Sequence, residues 1–136
     1  MSTNKTGRFG LHAWEPEDKF LREEFNENFA KLDGAARVIA GAYTGDGEKT
    51  RVIDLGITPL AVLVMTRDGL IRSTVGELYG GLAFWGNPAS TYGGSGTTNK
   101  PVVELVAGGF QVSSRQLSSQ TCTNENPCVY HYLAIC

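Results

Sequence analysis

The hydrophobic period of this chain changes once, between Gly34 and Arg37. Upstream, Leu21, Phe25, Phe29 and Leu32 recur at spacings of four, four and three residues, which draws one apolar stripe along a helix. Downstream, the period falls to near 2 and β-branched and aromatic residues dominate, as in half-buried strands. A chain that switches in this way is expected to be mainly β, an N-terminal amphipathic helix followed by an antiparallel β-sandwich. The division that follows is an arm over 1–14, a helical segment for attachment or oligomerisation over 15–36, and a sandwich over 37–136.

The helix is expected over 16–33. Pro16 suits a first helical position, Glu15, Glu17 and Asp18 place negative charge at the positive end of the helix dipole, and Gly34 stands where a left-handed C-terminal cap belongs. A helix this short is marginal alone, so its stripe needs a cover. Either the β domain of the same chain supplies one, which the residues alone favour, or copies of the helix bundle with Asn28 near the seam as a polar register residue. Ahead of it, 1–13 is polar with scattered large apolar residues. It reads either as a disordered tail or as an arm docking on a neighbouring chain with Trp14 as anchor.

Strands are expected over 38–44, 50–55, 61–66, 70–73, 82–85, 102–106, 110–113 and 128–135, with Asp46-Gly47 and Asp68-Gly69 turning two of the hairpins. The seventeen glycines suit such a turn-rich layout. Two polar stretches, 87–100 and 118–127, fall outside the strand pattern and are the first places to look for ligand contact.

Twelve basic residues against fourteen acidic ones give no field that would draw nucleic acid or an anionic membrane, and neither partner is expected. The longest apolar runs are far short of the roughly 20 residues of a spanning helix, and no signal-peptide core follows the polar start, so a soluble product made in the cytoplasm is expected. Three cysteines, Cys122, Cys128 and Cys136, fall in the last stretch of the chain. An odd count favours free thiols over a disulfide framework, with a Cys122–Cys128 link as the alternative.

Nothing in the pattern points to covalent chemistry, and no metal or cofactor is expected. The two histidines, His12 and His131, lie in the arm and in the last strand, where a hydrogen-bonded structural role is expected for His131. Ser95, inside Gly-Gly-Ser-Gly, lacks the strand-to-helix context of a nucleophile turn. Asp54, Asp68, Glu77 and Glu104 are the carboxylates from which a glycosidase pair would have to come. A binding role is easier to support: Tyr79, Phe84, Trp85 and Tyr92 cluster around a Gly-rich loop, and Tyr79, Trp85, Tyr92, Asn99 and Asn124 are the candidate surface contacts.

The segment from Trp14-Glu15-Pro16 through Phe25-Asn26-Glu27-Asn28-Phe29 resembles the opening of small phage and prophage tail or fibre proteins. The runs Gly41-Ala42-Tyr43-Thr44-Gly45-Asp46-Gly47, Ile53-Asp54-Leu55-Gly56-Ile57-Thr58-Pro59 and Val129-Tyr130-His131-Tyr132-Leu133-Ala134 resemble the β domain that often follows. The resemblance implies a virion component assembled in the host cytoplasm, a homotrimer or part of a ring. Residues 1–33 would join other virion proteins, and the β domain would face a host-surface glycan or protein. Trp14, Leu21, Phe25, Asn28, Phe29 and Leu32 then become assembly residues. A capsid-decorating or head-fibre protein, and a virion-borne glycan-cleaving enzyme, are the alternatives.

Overall fold

The structure, a computed structural model, describes residues 1–92 and 98–136. It divides into two compact units, Met1–Ala36 and Arg37–Cys136. The chain is mainly β, with antiparallel sheets and one short helix.

In the first unit, β1 (Asn4–Lys5) and β2 (His12–Ala13) form a two-stranded antiparallel ribbon. Helix α1 runs over Arg22–Asp33, six residues later than the expected start. The reason is a competing use of the first acidic cluster. The Asp18 carboxylate accepts hydrogen bonds from the backbone N–H of Thr3 (2.8 Å) and of Glu15 (2.9 Å) and from the Thr3 hydroxyl, which closes 15–18 as a separate turn. The N-terminal ammonium takes the Lys19 carbonyl at 2.6 Å, and Leu21 is extended, so helical hydrogen bonding begins only at Arg22. Gly34 is likewise not left-handed. Its φ of −80° and ψ of −2° continue the helical turn, and its N–H reaches the Ala30 carbonyl at 3.1 Å.

The second unit holds two four-stranded sheets. The first has the order β3 (Val38–Thr44), β10 (Val129–Ile135), β5 (Ala61–Thr66), β6 (Gly81–Phe84). The second has the order β4 (Thr50–Asp54), β9 (Gly109–Ser113), β8 (Pro101–Val106), β7 (Ala89–Ser90). One core joins them: Val62, Val64, Ala83 and Tyr130 from the first sheet cluster with Val102, Val103, Phe110 and Val112 from the second. Period-2 alternation puts Val62 with Val64, Val103 with Leu105 and Phe110 with Val112 on one side of their strands, while Val102 is on the other side of β8 and is buried there as well.

The strand expected over 70–73 does not form. Arg72 makes only an isolated bridge to Leu78, because turns on both sides, Thr66 to Leu70 and Ser73 to Glu77, consume the backbone groups a ladder would need.

The stretch 118–127, expected to be an open polar loop, is largely interior. Thr121, Cys122, Thr123 and Asn124 are fully buried. Their polar atoms are used by strand ends: the Thr123 hydroxyl donates to the Val102 carbonyl at 2.5 Å and accepts from the Ser113 N–H at 2.9 Å, while the Tyr43 and Tyr130 hydroxyls donate to the Thr123 and Cys122 carbonyls. Burial raises the pKa of both tyrosines, so both remain neutral donors. Gly45 lies so close to the Glu125 carbonyl that a Cβ there would collide with it.

The outward faces of the two sheets differ in kind. On the second, Thr50, Asp54, Gln111 and Glu104 mix polar groups with Val52. On the first, one cross-strand row reads Ala40, Leu133, Leu63, Leu82. The next reads Val38, Ile135, Ala61, Phe84. His131, flanked by Ala42 and Met65, ends the face. Its ring is exposed and makes no hydrogen bond among the described residues, which corrects the structural role expected of it.

Candidate interaction surfaces

In the first unit, α1 faces its own arm with its polar side. Glu24, Glu27, Asn28 and Lys31 recur at helical spacing and meet the ribbon. Glu24 accepts from the Ser2 N–H (2.8 and 3.0 Å) and from the Trp14 indole N–H (3.0 Å). Asn28 is not at an open seam. Its side-chain oxygen accepts from the His12 N–H at 2.6 Å and its amide donates to the His12 carbonyl at 2.9 Å, a paired contact that extends the ribbon edge. Lys31 donates to the Gly10 carbonyl at 2.9 Å, and Glu27 sits between Lys31 (2.7 Å) and the His12 ring (2.9 Å). These two hydrogen bonds, Lys31 first, pull the Glu27 carboxyl down to about 2. The arm over 1–13 is therefore ordered against its own helix.

The apolar stripe is left facing out. Phe25, Phe29 and Leu32 are exposed, Phe29 at 55%, and Leu21 is half-buried. Trp14, Phe20, Phe25 and Phe29 form a continuous row with ring centroids 4.8, 5.3 and 4.7 Å apart. An open groove of about 550 Å³ runs beside Phe29, Ala30, Leu32 and Asp33. The stripe was visible in the sequence; that the polar face flanking it would be the one satisfied by the arm was signalled only by Glu24, Asn28 and Lys31 at the same spacing.

In the second unit, Tyr92 is 83% exposed and stands where two clefts meet residues in common. One, of about 400 Å³, is lined by Tyr92, Thr98, Lys100, Ser118 and Gln120. The other, of about 170 Å³, is lined by Arg72, Ser90, Tyr92 and Gln120. Neither Arg72 nor Lys100 has a carboxylate within 4.0 Å among the described residues. An open aromatic ring flanked by two unneutralised cations and by amide and hydroxyl groups suits a polyhydroxylated, acidic ligand. Arg72 and Gln120 were missed from sequence because only the fold brings them beside Tyr92.

The other candidates separate from this place. Tyr79 lines a different groove, of about 430 Å³, with Arg67, Leu70 and Cys128, and its hydroxyl donates to Glu77 at 2.6 Å. Trp85 is exposed in the turn after β6, and neither it nor Phe84 is a core residue. Asn99 is exposed on the approach to β8. Asn124 is no surface contact: it is fully buried, donating to the Asp46 carboxylate (2.6 Å) and the Glu48 carbonyl (3.0 Å) and accepting from the Asp46 N–H (3.3 Å). It fixes the 45–47 turn. Ser95 and the glycines around it lie outside the described residues.

Among the carboxylates, Glu77 is tied to Tyr79 and to Arg115 (2.7 Å), contacts that lower its pKa and hold it as an acceptor. Asp54 caps the Gly56 N–H at 2.8 Å, and Asp68 is exposed in a hairpin turn. Among the described residues, no three His, Cys, Asp or Glu side chains converge as metal ligands. All three cysteines are free thiols, and burial pushes Cys122 up to about 11. No helix is long and apolar enough to cross a membrane. No protein-family model matches the chain, and neither a curated protein nor a solved structure does.

Proposed function

We propose that this chain is a phage virion structural protein of the tail or fibre. Its N-terminal unit attaches it to itself, as a homotrimer, and to other virion proteins. Its β unit, a sandwich of the two sheets, is displayed for contact with a host-surface glycan or protein. The observation that carries this reading is the aromatic row of Trp14, Phe20, Phe25 and Phe29, whose three phenylalanines are exposed while Glu24, Glu27, Asn28 and Lys31 of α1 are engaged by the arm. A unit that satisfies its polar groups internally and leaves its apolar stripe outside is arranged for assembly, since apolar burial is the main drive for association. The Tyr92 clefts supply the display side, as a binding place with no catalytic role.

The test uses particles carrying Phe25→Ser with Phe29→Ser. Incorporation is expected to fall at least tenfold, with the β unit still folded; unchanged incorporation sinks the attachment role. Imaging of particles labelled on the β unit assigns the protein to tail or head, and a head location would favour the capsid-decorating reading. Tyr92→Ala is expected to reduce adsorption to host cells.

A further inference from the structure

We propose that the two clefts beside Tyr92 are adjoining subsites for one anionic oligosaccharide, with an acid group of one sugar against Arg72 and that of a neighbouring sugar against Lys100. The proposal rests on the display reading of the β unit and deepens it, by fixing the ligand's charge and its least length.

Tyr92 and Gln120 wall both clefts, so the two adjoin. Each then adds one cation of its own, Lys100 in the larger and Arg72 in the smaller. Neither cleft is lined by an Asp or Glu among the described residues, so an acid group entering either one meets a cation and no like charge. The walls are tied together through the backbone. The Leu78 N–H donates to the Gln120 carbonyl and the Cys122 N–H to the Leu78 carbonyl, both at 2.9 Å, while Arg72 bridges to Leu78. Across the ring, the Thr91 N–H donates to the Lys100 carbonyl at 2.8 Å, and the Lys100 N–H donates to the Thr91 hydroxyl at 3.0 Å. Walls held in this way need little ordering on binding, which lets a few polar contacts hold a ligand.

Size sets the length. Sites for drug-sized ligands run from about 300 to 1,000 Å³. The smaller cleft, of about 170 Å³, lies below that range and suits one sugar ring, while the larger, of about 400 Å³, lies inside it. A ligand that reaches both cations is therefore at least a disaccharide. The lining favours a sugar over an acidic peptide. Protein partners are held by apolar and aromatic anchors in desolvated pockets, and here the large apolar side chains are Leu78, Leu117 and the open ring of Tyr92. A sugar sets its C–H face on such a ring and its hydroxyls on amide and hydroxyl groups, which Gln120, Ser90, Thr98 and Ser118 supply.

The test is titration of the full chain with free mono-, di- and trisaccharides in uronic acid, sialic acid and sulfated hexose series, beside neutral sugars of equal length and a glutamate-rich peptide. In at least one anionic series the disaccharide is expected to bind about tenfold or more tightly than its monosaccharide and than the neutral disaccharide, the effect of one added charge-assisted contact. Which series binds separates carboxylate from sulfate. Arg72→Gln and Lys100→Gln are each expected to bring the disaccharide down to the affinity of the monosaccharide. Both side chains are exposed and lack carboxylate partners among the described residues, and an unchanged thermal melt verifies the fold. Equal binding of neutral sugars, no gain from one sugar to two, or dependence on one cation alone overturns the proposal. Peptide binding that needs both cations, with no anionic sugar bound, assigns the clefts to a protein and also overturns it. If no sugar binds while Tyr92→Ala still lowers adsorption to host cells, the display reading stands and the paired subsites fall. If the disaccharide binds as expected while Tyr92→Ala leaves adsorption unchanged, the subsites stand and the display reading falls.

Discussion

Asn124 is fully buried in the β unit, with its side-chain amide and oxygen engaged by Asp46 and Glu48. Truncating it removes three hydrogen bonds that fix the 45–47 turn and empties part of a fully buried position, so Asn124→Ala is expected to cost about 1–3 kcal/mol in denaturant unfolding. The cysteines give a second contrast at this scale. Burial keeps the Cys122 thiol protonated, whereas Cys128 is exposed. At pH 8 a maleimide is expected to label Cys128 quickly and Cys122 only when the unit unfolds; equal rates would contradict the packing of 118–127. Neither residue's place was legible from sequence. Thr, Asn and Cys in a polar run look like a loop, and only the carbonyls of Val102, Ser114 and Ser113 waiting at strand ends make their burial affordable.

At the scale of elements, the sequence predicted β3 and β5 to their end residues, because alternation on a half-buried face and a buried apolar run are local signals. The start of α1 was not local. Pro16 and three acidic residues satisfy the first-turn and dipole rules for a helix start, and a distant residue, Thr3, takes Asp18 away from it. The end of α1 offers a clean test. Gly34 already has a φ that alanine accepts, and a Cβ there meets only ordinary contact with Ala30, so Gly34→Ala is expected to stabilise the unit by about 0.4–1 kcal/mol on melting. The arm-to-helix contact responds to acid. Glu27 ionises far more readily when docked than when free, so its contribution is complete above its ordinary value of 4.5 and is lost as pH falls towards about 2. Fluorescence of Trp14, in a Trp85→Phe background, is expected to report arm release across that window.

At the scale of the whole molecule, binding by single clefts and binding by multimers separate cleanly. Arg72 and Lys100 flank Tyr92 without acidic partners among the described residues, so the affinity of one copy for an acidic glycan is expected to fall as salt rises and to drop further in Arg72→Ala or Lys100→Ala. The proposed multimer is expected to hold a glycan-coated surface about 10²–10⁴-fold more tightly than dispersed copies, read by surface binding against a free oligosaccharide. The position of β10 bears on when such copies come into being. It lies between β3 and β5, pairing with both, although it comes last in sequence among the strands of the described residues. While a ribosome is still translating residues before 129, the strands already made have a gap at the centre of their sheet. The β unit is therefore completed only after nearly all of it has been synthesised, and a nascent chain broken off earlier lacks the strand that joins β3 to β5.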